Sequence, residues 1–212
     1  MSDKNNIKIS EPSLKRLPLY YHHLKLLNSN DVKYVSSRKI AEKINLKPIQ
    51  VRKDLSITGL VGKSRLGFNV KEAIAKIEDY MGWKHKTDGI LVGCGDLGSA
   101  LLGYDNFENY GFNIIAGFDN NKNIVGKEIH GKKIFHINKL KDLSNRLKIK
   151  VGIICVPPKS AQKIADIMIK SGIKAIWNFA PAALIIPEDI VLHQEDMASS
   201  LTLLFKKIKN KF

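Results

Sequence analysis

Cysteine is scarce in this chain: Cys94 and Cys155 are the only two among 212 residues. They lie far apart and belong to no CxxC or Cys/His cluster, which argues against a disulfide framework and against a zinc site. Both read as small, reduced, buried residues. No apolar run approaches the roughly 20 residues of a membrane-spanning helix, and the opening MSDKNNIKIS lacks the apolar stretch of a secretory signal. A soluble, cytoplasmic protein with no membrane partner is expected. Acidic residues are also few, 20 against 35 Lys and Arg, for a formal net charge of +15. The excess is concentrated at the front, where residues 1–86 carry 18 basic and 8 acidic side chains and the remainder 17 and 12. A Lys-rich solvated surface and a polyanion-binding face both fit this balance, so motifs must decide.

With 44% apolar residues the chain can bury one large core or two modest ones, and a change of pattern near MGWKHKTDG argues for two domains, residues 1–84 and 85–212. In the first, Leu17, Tyr21, Leu24 and Leu27 recur at helical spacing from Leu14 onward, with Pro18 starting or interrupting the helix. Ser36 and Ser37 suit the start of a short helix over RKIAEKI. Pro48 suits the first position of a third helix, PIQVRKDLSIT, with Ile49, Val51 and Leu55 near one face and Gln50, Arg52 and Lys53 displayed away from it. After Gly59, LVGKSRLGFNV reads as a hairpin whose loop carries Lys63 and Arg65, and KEAIAKIEDYM closes the domain as a helix. Three helices and a basic hairpin make a winged-helix arrangement, in which the third helix enters the major groove. Gln50, Arg52 and Lys53 offer contacts to base edges and phosphates, Ser36 and Ser37 a helix start for a phosphate, and Lys63 and Arg65 a wing. A helical domain that binds only protein is the alternative. His22 and His23 are adjacent and point in different directions, so no metal site is expected.

In the second domain, the apolar runs GILVG, NIIAGFD, VGIICV, KAIWNFA and IVLH are short enough for buried parallel strands, and SAQKIADIMIKSG is a helix between two of them. This is α/β, a Rossmann-like doubly wound sheet. Its first strand runs into GCGDLG, residues 93–98. Gly93 makes the tight turn, Gly95 lets backbone approach a pyrophosphate, and Gly98 allows close packing of helix on strand, with Cys94, Asp96 and Leu97 completing the loop. Asp119 ends the second strand, where an acidic residue binds the adenosine ribose diol and repels a 2′-phosphate, so NADH and NAD+ are preferred over their phosphorylated forms. An ordinary strand-end turn with Asn120 and Asn121 is the plainer reading of Asp119. A mostly apolar nicotinamide pocket is expected from Val156, Pro157, Asn178, Phe179 and Ala180 at strand ends, with Tyr104 opposite. A dehydrogenase would also need a substrate pocket and a proton donor, yet little chain follows NFAP, and His193 at a strand end reads as structural. Cofactor without chemistry points to sensing rather than to an enzyme.

RLPLYY, VSSRKIAEKI, QVRKDLS, LVGCGDLGSALLGY, GFDNN, ICVPPKSAQKIAD and NFAP together resemble the Rex family of redox-sensing transcriptional repressors over nearly the whole chain. The resemblance implies a homodimer in which each subunit's C-terminal helix is exchanged, and release of DNA by NADH but not by NAD+; the two-fold symmetry of such a dimer predicts an operator that is an inverted repeat. It also implies an interdomain network on Arg16, Tyr104 and Asp196. Where the family's glycine loop usually carries Asn, this chain has Asp96. The tail EDMASSLTLLFKKIKNKF carries Leu201, Leu204, Phe205 and Ile208 as a helical apolar stripe that fits either its own domain or a partner's. A small NAD-dependent oxidoreductase and a CoA-binding module are the rival readings; Asp119 argues against the latter, because CoA carries a ribose 3′-phosphate.

Overall fold

The computed structural model describes residues 10–210, which divide into two compact units between His85 and Lys86. The N-terminal unit contains α1 (Glu11–Ser29), β1 (Tyr34–Val35), α2 (Ser37–Ile44), α3 (Pro48–Ile57), β2 (Phe68–Asn69) and α4 (Val70–Met81). Helix α1 starts earlier than the apolar spacing predicts, because Ser10 caps it by accepting from the Ser13 amide. Pro18 lies inside it and removes one amide donor, but Leu17, Tyr20, Tyr21 and Leu24 are buried along the inner face, and that burial holds the helix continuous. Ser36 is the cap of α2, accepting from the Lys39 amide, while Ser37 is its first residue; α2 ends at Asn45 in the left-handed conformation.

The expected hairpin over residues 60–70 forms differently. Lys63 and Gly67 close a tight turn through Lys63 N–H to Gly67 O at 2.8 Å and the reverse bond at 2.9 Å. The strand that follows, β2, pairs antiparallel with β1, a strand absent from the sequence reading, setting Phe68 opposite Val35. Gly67 permits this: it has φ +90°, and a Cβ there would run into the Val35 carbonyl and the Ser36 Cα.

Helix α3 also faces differently from the expectation. Val51, Asp54 and Leu55 point inward, while Ile49 is half exposed. At about 100° per residue, Ile49 stands some 200° from Val51 and so on the opposite face, whereas Asp54 shares the face of Val51 and Leu55. Asp54 is completely buried and accepts from Arg16 Nε at 2.6 Å, Arg16 Nη2 at 3.0 Å, the Tyr20 hydroxyl at 2.6 Å and Gln50 Nε2 at 2.9 Å. These bonds tie α1 to α3. Burial pushes the Asp54 carboxyl up, but the bonds from Arg16, Tyr20 and Gln50 outweigh it and leave it below the ordinary carboxylate range.

The C-terminal unit contains β3 (Thr87–Val92), α5 (Asp96–Leu102), a 3-10 turn (Asp105–Tyr110), β4 (Phe112–Asp119), β5 (Glu128–Ile129), β6 (Lys132–His136), α6 (Leu140–Arg146), β7 (Val151–Ile154), α7 (Pro158–Lys170), β8 (Ala175–Asn178), β9 (Val191–Gln194) and α8 (Met197–Lys209). The sheet order is β5-β6-β4-β3-β7-β8-β9, parallel except for β5 against β6. Alternate residues of β3 serve opposite faces: Ile90 and Val92 pack with Ala161, Ala165 and Met168 of α7, whereas Leu91 packs with Leu102 of α5. This two-sided burial is the doubly wound α/β architecture expected. The β5–β6 hairpin was not anticipated, although His130 and Gly131, both at positive φ, are the two-residue turn such a hairpin favours. No residue of α8 is buried within this chain, and Leu201, Leu204, Phe205 and Ile208 are 47–59% exposed.

Because a buried ion pair that loses one partner leaves the other uncompensated, Asp54→Ala should destabilise the N-terminal unit by about 3 kcal/mol, the low end for such pairs. Arg16, one-fifth exposed, can partly rehydrate. The folded Asp54 pKa lies below the unfolded one, so its contribution is complete above the ordinary carboxylate range and is lost as pH falls through the depressed value. Hydrogen exchange of α1 and α3 should therefore show an acid-dependent loss of protection in the wild type that Asp54→Ala lacks.

Candidate functional site

From β3 the chain winds through β4 to β6 on one side of the sheet, then returns to β7 on the other. The carboxyl ends of β3 and β7 therefore flank a topological switch point, where open α/β sheets bind ligands. A cleft of about 640 Å³ lies there, lined by Gly93, Gly95, Leu97, Asp119, Val156, Pro157 and Phe179 among others. The three glycines do separate jobs. Gly93 has φ +95°, and a Cβ on it would strike the Cys155 carbonyl; a Cβ on Gly98 would overlap the Gly93 oxygen. Gly95 faces open space, with no atom within 4 Å of where its Cβ would stand, which leaves backbone room for a ligand group.

Asp119 is more than a strand-end turn residue. Its Oδ2 accepts from the Cys94 amide at 2.7 Å and its Oδ1 from the Asn121 amide at 2.8 Å. One carboxylate thus fastens the glycine loop to the end of β4 and turns the chain beyond it. Each oxygen keeps a lone pair for a further donor.

Other residues assigned to the cleft support it without lining it. The Cys94 side chain packs with Leu91 and Leu102 on one face of the sheet, and burial pushes its thiol up to about 12. Asp96 is the exposed first residue of α5. Asn178 is buried: its amide nitrogen donates to Ala180 O, Ala182 O and Gln194 Oε1, and its oxygen accepts from the Ala180 amide. Asn178 and the buried Ala180 therefore shape the turn after β8 that sets Phe179 in the cleft wall. Tyr104 lies elsewhere. It follows the far end of α5, about 10 Å along the axis from the glycine loop, with its ring edge-on to Phe107 at 4.8 Å and its hydroxyl accepting from Asn106. Val92, Asn120, Ile137, Cys155, Pro158, Ser160, Ile164, Pro181 and Met197 complete the lining and were missed, although the switch-point rule applied to the end of β7 would have found Cys155 and Pro158.

In the N-terminal unit Arg52 and Lys53 are exposed on α3, with Arg52 donating to Ser37 Oγ at 3.2 Å. Lys63 and Arg65 are exposed in the wing turn, where Lys63 lies 5.8 Å from the Tyr34 ring and Arg65 takes positive φ. Gln50 is turned back to Asp54 rather than simply displayed. The residues of the implied interdomain network each have partners inside their own unit: Arg16 with Asp54, Tyr104 with Asn106, and Asp196 as the cap of α8, accepting from the Ala198 and Ser199 amides.

A basic helix-turn-helix unit in one chain with a dinucleotide-type α/β unit is the build of a ligand-responsive transcriptional regulator. Residues 8–56 match the family described as putative DNA-binding protein N-terminus, and residues 84–182 match the CoA binding domain family. The chain belongs to the Rex family of redox-sensing transcriptional repressors: it is 42% identical to the Rex repressor of Treponema denticola over 91% of this chain and 92% of that one, and 39% identical to that of Clostridium botulinum over 98% and 99%. Among solved structures it is similar to RSP, a Rex-family repressor, in complex with NAD+ and operator DNA (TM-score 0.88, 35% identity, 96% and 94% of the chains) and in complex with NADH (TM-score 0.85, 34% identity, 96% and 95%).

Removing the Asp119 carboxylate leaves the buried Cys94 amide without its acceptor, a loss of about 1–3 kcal/mol. Asp119→Ala should accordingly speed hydrogen exchange at Cys94 about ten- to a hundredfold while β3 and β7 keep their protection. Unchanged exchange at Cys94 would contradict the anchoring role.

Proposed function

We propose that this chain represses transcription by binding operator DNA through α3 and the wing turn, and that it releases the DNA when NADH occupies the cleft of the C-terminal unit. The observation that carries the reading is the glycine cradle with Asp119 at the switch point, in the same chain as the exposed Arg52 and Lys53. The loop from Gly93 to Gly98 would receive the pyrophosphate, with Gly95 giving it room, and Asp119 would accept from the adenosine ribose hydroxyls. The nicotinamide supplies a charge that depends on its redox state, cationic when oxidised and neutral when reduced. Val156, Pro157 and Phe179 offer it apolar surroundings, which favour the neutral ring.

The CoA binding family match has a counterargument in Asp119, whose carboxylate would repel the ribose phosphate of CoA. For an oxidoreductase the candidate proton carriers among the described residues are poor ones: Asp119 is tied to the Cys94 and Asn121 amides, burial pushes the Cys155 thiol up to about 12, and His193 stands exposed on β9, bonded to Glu195. Both points support a regulator.

The exposed stripe of α8 supports a homodimer, and a two-fold dimer fits an inverted repeat whose half-sites fall one helical turn apart. In one of the dimer's states Arg16, Tyr104 and Asp196 would exchange their present partners for one another. Ending the chain after Asp196 should then leave a monomer by sedimentation.

DNA titrations test the central reading. NADH should weaken operator binding at least tenfold, about 1.4 kcal/mol of coupling and within the usual allosteric range, and NAD+ much less. Equal affinity with NADH, with NAD+ and without nucleotide would overturn it. Arg52→Ala and Lys53→Ala should weaken DNA binding with NADH binding intact, lowering the salt slope by about one for each lost phosphate contact.

A further inference from the structure

The four donors on Asp54 come from three residues, and one of them, Gln50, belongs to α3 itself. Gln50 is the third residue of that helix, among the N-terminal positions of a recognition helix that meet base edges. It is half-buried, and its Nε2 donates to Asp54 Oδ1 at 2.9 Å.

A carboxylate can only accept hydrogen bonds. The edge of the Gln50 carboxamide that faces Asp54 must therefore be its NH2, and its oxygen is directed away. That oxygen accepts no hydrogen bond among the described residues. Asp54 is itself immobile, one turn along the same helix, fully buried, and gripped from α1 by Arg16 and Tyr20. A glutamine on a DNA-binding helix ordinarily presents either edge by rotating its amide. Here one of the two orientations is removed before DNA arrives.

We propose that Gln50 is a specificity-determining residue whose carbonyl oxygen, oriented by the positioning residue Asp54, selects a base that carries an amino group in the major groove. The partner is the 6-amino group of adenine or the 4-amino group of cytosine. Guanine and thymine present carbonyl oxygens there, which the Gln50 oxygen repels. Arg52 and Lys53, with rotatable charged ends, supply contacts to phosphates and to guanine. The inference rests on the reading of α3 as the DNA-contacting helix.

The test uses the full-length protein without nucleotide and a set of operator duplexes varied one base pair at a time. Gln50→Ala should flatten the preference at one base pair in each half-site and leave the others unchanged. At that pair, duplexes are then made with purine in place of adenine, or 2-pyrimidinone in place of cytosine, which deletes the amino group alone. The wild type should lose about tenfold in affinity for the deleted duplex, and Gln50→Ala should not distinguish it from the parent. Gln50→Arg, whose guanidinium can keep the bond to Asp54 while presenting donors outward, should shift the preference at the same pair toward guanine or thymine on the contacted strand. These are partly exposed positions, so the variants fold; Asp54→Asn is avoided as a sole test because it also strips Arg16 of its partner.

If the wild type ignores deletion of the amino group, or if Gln50→Ala leaves every preference intact while Arg52→Ala weakens binding, the role assigned to Gln50 is overturned and α3 remains the DNA helix. If Gln50→Ala and Arg52→Ala both leave DNA binding untouched, the reading of α3 fails and this inference falls with it.

Discussion

A carboxylate held out of water must find a hydrogen bond for each lone pair that matters, and Asp54 meets that requirement in a way that organises the DNA-binding unit. Arg16 and Tyr20 reach it from α1 and Gln50 from within α3. Apolar packing between these helices, with Leu17, Leu24, Val51 and Leu55 all buried, supplies most of the stability but little rotational precision, since one aliphatic contact resembles another. The Asp54 bonds are directional. They set the rotation of α3 about its axis, and with it the direction in which Arg52 and Lys53 leave the surface.

The second unit uses a carboxylate in the same manner at a different kind of site. Asp119 ends a parallel strand and takes the amide of Cys94 from the neighbouring loop, so the glycine turn is fixed from outside itself. Three glycines make a loop that backbone can approach closely, but they also make a loop with many accessible conformations. An external acceptor on a rigid sheet narrows that freedom. Asn178 does comparable work after β8, where its buried amide holds the turn that carries Phe179.

What the protein leaves outside its cores is as telling as what it buries. Helix α8 carries apolar side chains at helical spacing with none buried in this chain, and an exposed apolar surface of this kind marks an interaction site. The cleft walls are mainly apolar, burial holds its cysteine as a thiol, and its one carboxylate, Asp119, is tied to the amides of Cys94 and Asn121. Such a site distinguishes ligands by charge and shape. That is the requirement of a sensor, and membership of the Rex family agrees with it.

Much of this was legible in the sequence because it is local. Helical spacing placed α2, α4 and α7, Pro48 marked the start of α3, and GCGDLG followed by Asp119 located the cleft, since each depends on residues within one or two turns or one strand–loop–helix unit. The features that escaped depend on pairs distant in the chain. The strand at Phe68 joins Tyr34–Val35 and not its sequence neighbours, because Gly67 lets two backbones touch. The β5–β6 hairpin sits at the edge of the sheet, in a lysine-rich segment whose alternation is faint. Asn178 was assigned to the pocket as a strand-end residue and Tyr104 as standing opposite it, but burial turns Asn178 inward and the length of α5 carries Tyr104 away. Gln50 was read as displayed outward and Arg16 as part of an interdomain network, and only the folded chain brings both to Asp54, 38 residues beyond Arg16. Sequence spacing determines which face of an element a side chain occupies; the hydrogen-bond partner it meets there is decided by packing, because a buried charge accepts whatever donors the tertiary structure delivers and excludes the conformations that would leave it without them.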